Sequence, residues 1–214
     1  DSLRYVDLDL SDFFRESELW KNHSLVPQRD KERLVWEEYS YQLKEFGIER
    51  GYRWTAFLFE GLDREIFFEY SQKAWERVRG KVFPQPEMKD LIAYLYENHW
   101  TAYIVTASPE VGVQAIAPSF PIEEDKVIGM RHIQVSGKNT RQIREPYTYG
   151  EGKVRAIQER IGRVPDLAFG DSFNDYPMLC YSKQGIGIDR GNPEFVAACL
   201  SKGILVQPYF QLEA

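Results

Sequence analysis

From Thr101 onward the chain alternates short apolar runs with helical or turn stretches, and this alternation restricts the fold more than any other feature. Ala102–Thr106, Leu167–Phe169, Gly185–Ile188 and Ile204–Val206 each read as buried strands. Val127–Ile128 and Ile133–Val135 read as shorter strands around turns at Gly129 and Gly137. Val154, Ile157 and Ile161 recur at helical spacing between two of the runs. Helices that connect such strands pack on the faces of the sheet. The pattern therefore predicts an α/β domain with a mostly parallel sheet and helices on both sides. Arg4–Leu8, far upstream, is one more short apolar run of the same kind, and it ends in acidic residues.

Between that first strand and the rest the texture is helical. Val35, Tyr39, Leu43 and Phe46 fall at helical spacing over Lys31–Phe46, with Gly47 as a stop. Asp63 can cap a second helix carrying Ile66, Phe67, Tyr70, Ala74 and Val78, ended by Gly80. A third helix starts near Pro86, where a missing N–H costs nothing, and shows Met88, Leu91, Ile92 and Leu95 on one face. The expected organisation is an α/β core of residues 1–13 and 82–214 with a helical insertion at 14–81. Charge follows this division: residues 14–81 carry 13 acidic and 13 basic side chains, and the whole chain carries a net charge of −6. Aromatic residues follow it too. Fifteen of the 13 Phe, 13 Tyr and 5 Trp lie between Phe13 and Trp75, including Trp20, Trp36, Trp54 and Trp75. Two readings of these rings are open: an aromatic cage for a quaternary ammonium, or the core of a small helical lid that needs large side chains to bury enough area.

At 214 residues the chain suits one domain or one plus a modest insertion. Its acidic balance argues against a nucleic-acid or anionic-membrane surface. No apolar run reaches the length of a membrane span, and no signal-peptide pattern is present. The chain starts at Asp1 rather than Met, as a trimmed or processed chain would, and the expected compartment is the cytoplasm. Cys180 and Cys199 form neither a disulfide framework nor a zinc pattern.

Four short motifs carry chemistry. Asp7-Leu8-Asp9-Leu10-Ser11 sets two carboxylates on one face at a strand end, where open α/β sheets bind ligands. A solvated acidic turn explains the same residues. Ile104-Val105-Thr106-Ala107-Ser108-Pro109 offers a hydroxyl at a strand end before a helix N-terminus, with Thr106 the better phosphate ligand because Ser108 is explained by N-capping. Gly150-Glu151-Gly152-Lys153 starts a helix with a lysine, against the dipole, which makes sense if Lys153 faces an anion. Gly170-Asp171-Ser172-Phe173-Asn174-Asp175 sets two carboxylates across a strand-to-helix turn, a hard-oxygen set suited to Mg²⁺. Gly170 there lets backbone approach a ligand closely.

In this order the four motifs resemble those of the haloacid dehalogenase superfamily, and most closely its phosphoserine-phosphatase-like branch. That branch inserts a helical cap between the first two motifs, and here Asp7 and Thr106 stand 99 positions apart. The resemblance implies a Rossmann-like core and a Mg²⁺-dependent phosphomonoesterase acting on a small phosphorylated metabolite. It implies Asp7 as nucleophile forming an aspartyl phosphate and Asp9 as general acid and then base. Thr106 and Lys153 would hold the phosphoryl group, with Ser11, Asn174 and Gly170 in support. Asp7, the Asp9 carbonyl, Asp171 and Asp175 would hold Mg²⁺. Leu10 and Ser11 depart from the family's usual residues without removing a catalytic group. An acid at Asp9 favours phosphoryl chemistry over carbon–halogen cleavage. A phosphotransferase with the same intermediate and a fold-sharing binding protein without turnover are the alternatives.

Overall fold

The computed structural model describes residues 31–81 and 86–209. Arg4–Leu8 and the whole first motif, with Asp7, Asp9 and Ser11, lie outside the described residues, as does Trp20. The described residues fall into two compact units, one of residues 31–81, 108–116 and 130–144, the other of 86–107, 117–129 and 145–209.

The first unit begins with α1 (Lys31–Phe46) and α2 (Ile48–Trp54). Gly47 breaks the helix between them at φ +86°, in the left-handed region that glycine enters without a Cβ penalty. The two helices close tightly, because a Cβ on Gly51 would stand 2.5 Å from Leu43 Cδ2. Trp54 at the end of α2 is completely buried. The α1 pair Glu38 and Gln42 is buried too, and Gln42 Nε2 donates to Glu38 Oε1 at 2.8 Å. A 3₁₀ turn (Thr55–Phe59) leads to α3 (Arg64–Val78), where Asp63 Oδ1 accepts from the Ile66 N–H at 2.8 Å, as the sequence predicts.

The strand β1 (Ile104–Pro109) starts two residues later than its apolar run suggests and continues through the position expected to be helical. Pro109, not Ser108, takes the N-cap position of the short α5 (Glu110–Gln114), at ψ 124°, and no side chain caps that helix. The N-cap assigned to Ser108 is therefore corrected: its backbone still belongs to the strand.

The two short strands expected around Gly129 are one strand, β2 (Val127–Val135), with Gly129 inside it and a register shift between His132 and Gln134. It turns through Ser136 and Gly137, both at positive φ, into β3 (Lys138–Arg144). Val135 pairs with Lys138 across this two-residue loop, the geometry that favours such residues. The hairpin is stitched to the 3₁₀ turn. Asn139 N donates to the Leu62 carbonyl at 2.8 Å, Gly61 N donates to the Asn139 carbonyl at 2.9 Å, and Arg141 pairs with Glu60 at 2.7 Å. Strand order in this sheet is β1-β2-β3.

The second unit contains α4 (Pro86–Glu97), α6 (Glu151–Arg160) and the parallel strands β4 (Leu167–Gly170), β5 (Gln184–Asp189) and β6 (Leu205–Pro208). Their register runs Ala168↔Gly185 and Gly187↔Val206. The connections are α7 (Tyr176–Tyr181) and α8 (Pro193–Ser201). The core beneath the sheet is Ile157, Ala168, Met178, Leu179, Phe195, Cys199 and Ile204. The parallel sheet with its crossover helices is the predicted α/β class. No helix among the described residues is long and apolar enough to cross a membrane.

His132 on β2 is the titratable group this fold constrains most clearly. Its Nε2 lies 2.8 Å from the Ala56 carbonyl, and Phe59 and Phe67 each set a ring edge-on to it. Burial pushes its pKa below the ordinary 6.5, against a smaller raising effect of the Ala56 carbonyl. The unfolded chain then binds the proton more readily than the folded one. Stability is complete above about pH 6.5 and falls as the pH drops, by at most about 1.4 kcal/mol per unit from one group. The unfolding midpoint is expected to decline between pH 7.5 and 5.5, and His132→Gln to remove part of that decline, as followed by thermal unfolding at both pH values.

Candidate active site

Lys153 stands in the first turn of α6 and is 4% exposed. A buried ammonium needs acceptors, and among the described residues it has two: Asp175 Oδ1 at 2.5 Å and the Val105 carbonyl of β1 at 3.0 Å. A lysine has three N–H donors, one more than these two acceptors take. Asp175, also buried, uses its other oxygen, Oδ2, to accept from the Asp171 N–H at 3.2 Å and the Ser172 hydroxyl at 3.0 Å. The carboxylate thus closes the turn after β4 while it holds the lysine.

Two glycines make this arrangement possible. A Cβ on Gly170 would lie 2.3 Å from Asp175 Cβ, so the close approach that Gly170 permits is to Asp175 itself. A Cβ on Gly152 would lie 1.6 Å from the Tyr147 carbonyl oxygen. Gly150 adopts φ 52° and ψ −124°, a conformation closed to residues with a Cβ. Its N–H donates to Asn174 Oδ1 at 2.7 Å. Asn174 therefore fixes the loop that starts α6 and reaches Lys153 only through it.

Asp171 follows β4 directly and is half-exposed. Its Oδ2 accepts from Arg190 Nη1 at 3.0 Å, and the Arg190 guanidinium lies 5.3 Å from the Tyr209 ring centre. The Asp171 carboxylate raises the Arg190 pKa above its ordinary value. Arg190 was not legible as a neighbour of this site, because 19 positions separate it from Asp171. Parallel pairing of β4 with β5 brings the two strand ends together. Thr106 is half-buried on β1, next to the residue whose carbonyl holds Lys153.

Residues of the second, third and fourth motifs thus meet in the second unit. Thr106 and Val105 come from a strand, Lys153 from a helix N-terminus and Asp171 to Asp175 from a strand-to-helix turn. Among the described residues no group of three or more His, Cys, Asp or Glu is placed to hold a metal. The described acids here, Asp171 and Asp175, are hard-oxygen donors, the type Mg²⁺ takes.

An α/β protein with an acid–lysine pair at the ends of its strands is the class this fold and site define. The sequence profile of haloacid dehalogenase-like hydrolases matches residues 6–180, and the chain belongs to that family. It is 30% identical over 104 residues to the phosphoserine phosphatase of Halobacterium salinarum. That match takes in 47% of this chain and 49% of the relative, so it spans about half the relative's length. A protein of unknown function from Bordetella pertussis superposes with a TM-score of 0.69 at 17% identity, over 96% of this chain and 91% of that one. A probable phosphoserine phosphatase from Vibrio cholerae superposes at 0.54 with 18% identity, over 80% of this chain and 50% of that one. These two likenesses show a shared fold.

Removing one partner of a buried ion pair leaves the other without its counter-charge. Lys153→Met and Asp175→Asn are each expected to destabilise the protein by about 3–5 kcal/mol. The double variant should lose clearly less than the sum of the two, because the stranded charge is gone. Urea unfolding of the two single variants, the double variant and the intact chain measures the difference.

Proposed function

We propose that the chain is a Mg²⁺-dependent phosphomonoesterase that acts on a small phosphorylated metabolite through an aspartyl phosphate on Asp7. The observation that carries this reading is the buried Lys153, held among the described residues by Asp175 and the Val105 carbonyl, two acceptors for its three N–H donors. An ammonium fixed in this way is an electrostatic clamp for a phosphoryl oxygen, and it needs no reorganisation when charge develops. Thr106, one residue beyond Val105, supplies a hydroxyl to the same group. Membership of the hydrolase family and the partial likeness to a phosphoserine phosphatase agree with this chemistry.

A cavity of about 800 Å³ in the second unit adds support. Ile104 and Val105 of β1, Leu167 and Phe169 of β4, and Asp175 contribute to its wall. β1 and β4 are each edge strands of their sheets among the described residues.

The roles then follow. Asp7 attacks phosphorus in line while Lys153 and Thr106 hold the phosphoryl oxygens. Asp9 gives its proton to the leaving oxygen and then takes one from the attacking water. Asp7, the Asp9 carbonyl and Asp171 would hold Mg²⁺, with Asp175 direct or through water, and the ion's chemistry is to neutralise the phosphoryl charge. Asp175, with both oxygens accepting within the protein, acts on Lys153 and the turn after β4. On this reading residues 14–81 are the cap that selects substrate.

Hydrolysis of p-nitrophenyl phosphate tests the reading. Turnover is expected with Mg²⁺ and not after chelation. Asp7→Asn should abolish it, and Lys153→Met should lower kcat by about 10²–10³. Full activity in Asp7→Asn, or turnover indifferent to chelation, overturns the mechanism.

A further inference from the structure

In the second unit β4, β5 and β6 end side by side, and the residue after each strand carries a different chemistry. Asp171 follows β4, Arg190 follows β5 and Tyr209 follows β6. Parallel pairing in the order β4-β5-β6 sets them in a row along the carboxyl edge of the sheet, the edge where open α/β sheets bind ligands. Arg190 is the middle member. Its Nη1 donates to Asp171 Oδ2 at 3.0 Å, and its guanidinium carbon lies 5.3 Å from the centre of the Tyr209 ring.

Arg190 is not what holds the Asp171 main chain. The Asp171 N–H is held separately, by Asp175 Oδ2 at 3.2 Å. The ion pair is also open to solvent, with the Arg190 side chain 57% and the Asp171 side chain 39% exposed, and pairs of this kind contribute little to stability. A guanidinium that leaves Asp171 keeps its contact with the Tyr209 face, which attracts a cation. The charges of the site decide when it leaves. Among the described residues each acid has its own cation, Lys153 on Asp175 and Arg190 on Asp171. A dication brought to Asp171 therefore meets a like charge already on that carboxylate. Lys153 is buried and fixed, whereas Arg190 is exposed and able to move. Arg190 takes only one of the two Asp171 oxygens, so the contest is one of charge more than of space.

We propose that Arg190 is the resident counter-cation of Asp171 and competes with Mg²⁺ for that carboxylate. The inference rests on the reading above in one respect, that Asp171 is a Mg²⁺ ligand. Binding of the ion moves the guanidinium off Oδ2 and leaves it over Tyr209. Removing the charge of Arg190 then makes a tighter Mg²⁺ site. An arginine that only oriented Asp171 would have the opposite effect, because loss of a hydrogen bond to a ligating carboxylate weakens the metal.

Isothermal titration calorimetry with MgCl₂, at fixed ionic strength and with no phosphate ester present, separates the two. Arg190→Gln is expected to tighten Mg²⁺ binding about tenfold, the order set by a unit charge acting on a dication across a few ångströms of water-like dielectric. Arg190→Lys, which keeps the charge, should stay near the intact chain. Adding Asp171→Asn to Arg190→Gln should abolish the gain. The unfolding midpoint of Arg190→Gln without Mg²⁺ should move by no more than about 2–4 °C, as for an exposed pair. Unchanged or weaker Mg²⁺ binding in Arg190→Gln overturns the proposal. So does Arg190→Lys binding as tightly as Arg190→Gln, since charge is then not the cause, and so does a gain that survives Asp171→Asn. A larger fall in the midpoint, or no Mg²⁺ binding in either the intact chain or Arg190→Gln, overturns it as well. The titration involves no turnover, so the two readings fail separately. Mg²⁺ affinities in the expected order without hydrolysis of any phosphomonoester retire the phosphomonoesterase reading and leave this inference standing. Mg²⁺-dependent hydrolysis with unchanged Mg²⁺ affinity in Arg190→Gln does the reverse.

Discussion

The buried ion pair of Lys153 and Asp175 is the constraint on which the second unit depends. Burying an ammonium is costly unless its hydrogen-bond directions are filled and its charge is met. Asp175 does both, and its second oxygen ties down the Asp171 backbone and the Ser172 hydroxyl. The same carboxylate thus fixes the turn that presents Asp171 and the charge beside Val105. That economy depends on missing side chains. Only a glycine at position 170 leaves room for the Asp175 side chain, and only a glycine at 152 lets α6 start against the Tyr147 carbonyl. The glycines of the third and fourth motifs are therefore as necessary as the charged residues between them.

The first unit follows a different logic. Its interior is aromatic, with Trp54 buried and Phe59 stacked on Phe67, and backbone bonds tie Gly61 and Leu62 to Asn139 of the β2–β3 hairpin. Helices of this length stabilise themselves poorly, so packing of an apolar face must supply most of the order. Large rings do this with few residues. They also line a cavity of about 330 Å³ that no charged side chain faces.

Local signals were legible wherever backbone preference and side-chain period agreed. The helix over Lys31–Phe46, the Asp63 cap and the strand before Asp171 stand where periodicity puts them. Local reading failed where two local preferences conflicted. Ser108-Pro109 has the residues of a helix start, yet the strand runs on and Pro109 takes the cap position. Gly129 has the residue type of a turn, yet β2 passes straight through it, because pairing and burial outweigh a glycine's weak local preference. β3 escaped notice because its run, Lys-Asn-Thr-Arg-Gln-Ile-Arg, is polar, and only the hairpin partner makes it a strand.

By itself, the sequence determined the alternation that yields a parallel sheet, the family, and the residue types at each strand end. These depend on local period and on motif order, both of which are written along the chain. The tertiary structure alone decided what each of those residues touches. It set Asp175 against Lys153, set Asn174 against the Gly150 backbone, and brought Arg190 to Asp171. Such contacts arise where strand ends distant in sequence are placed side by side by pairing, and no local pattern encodes that juxtaposition.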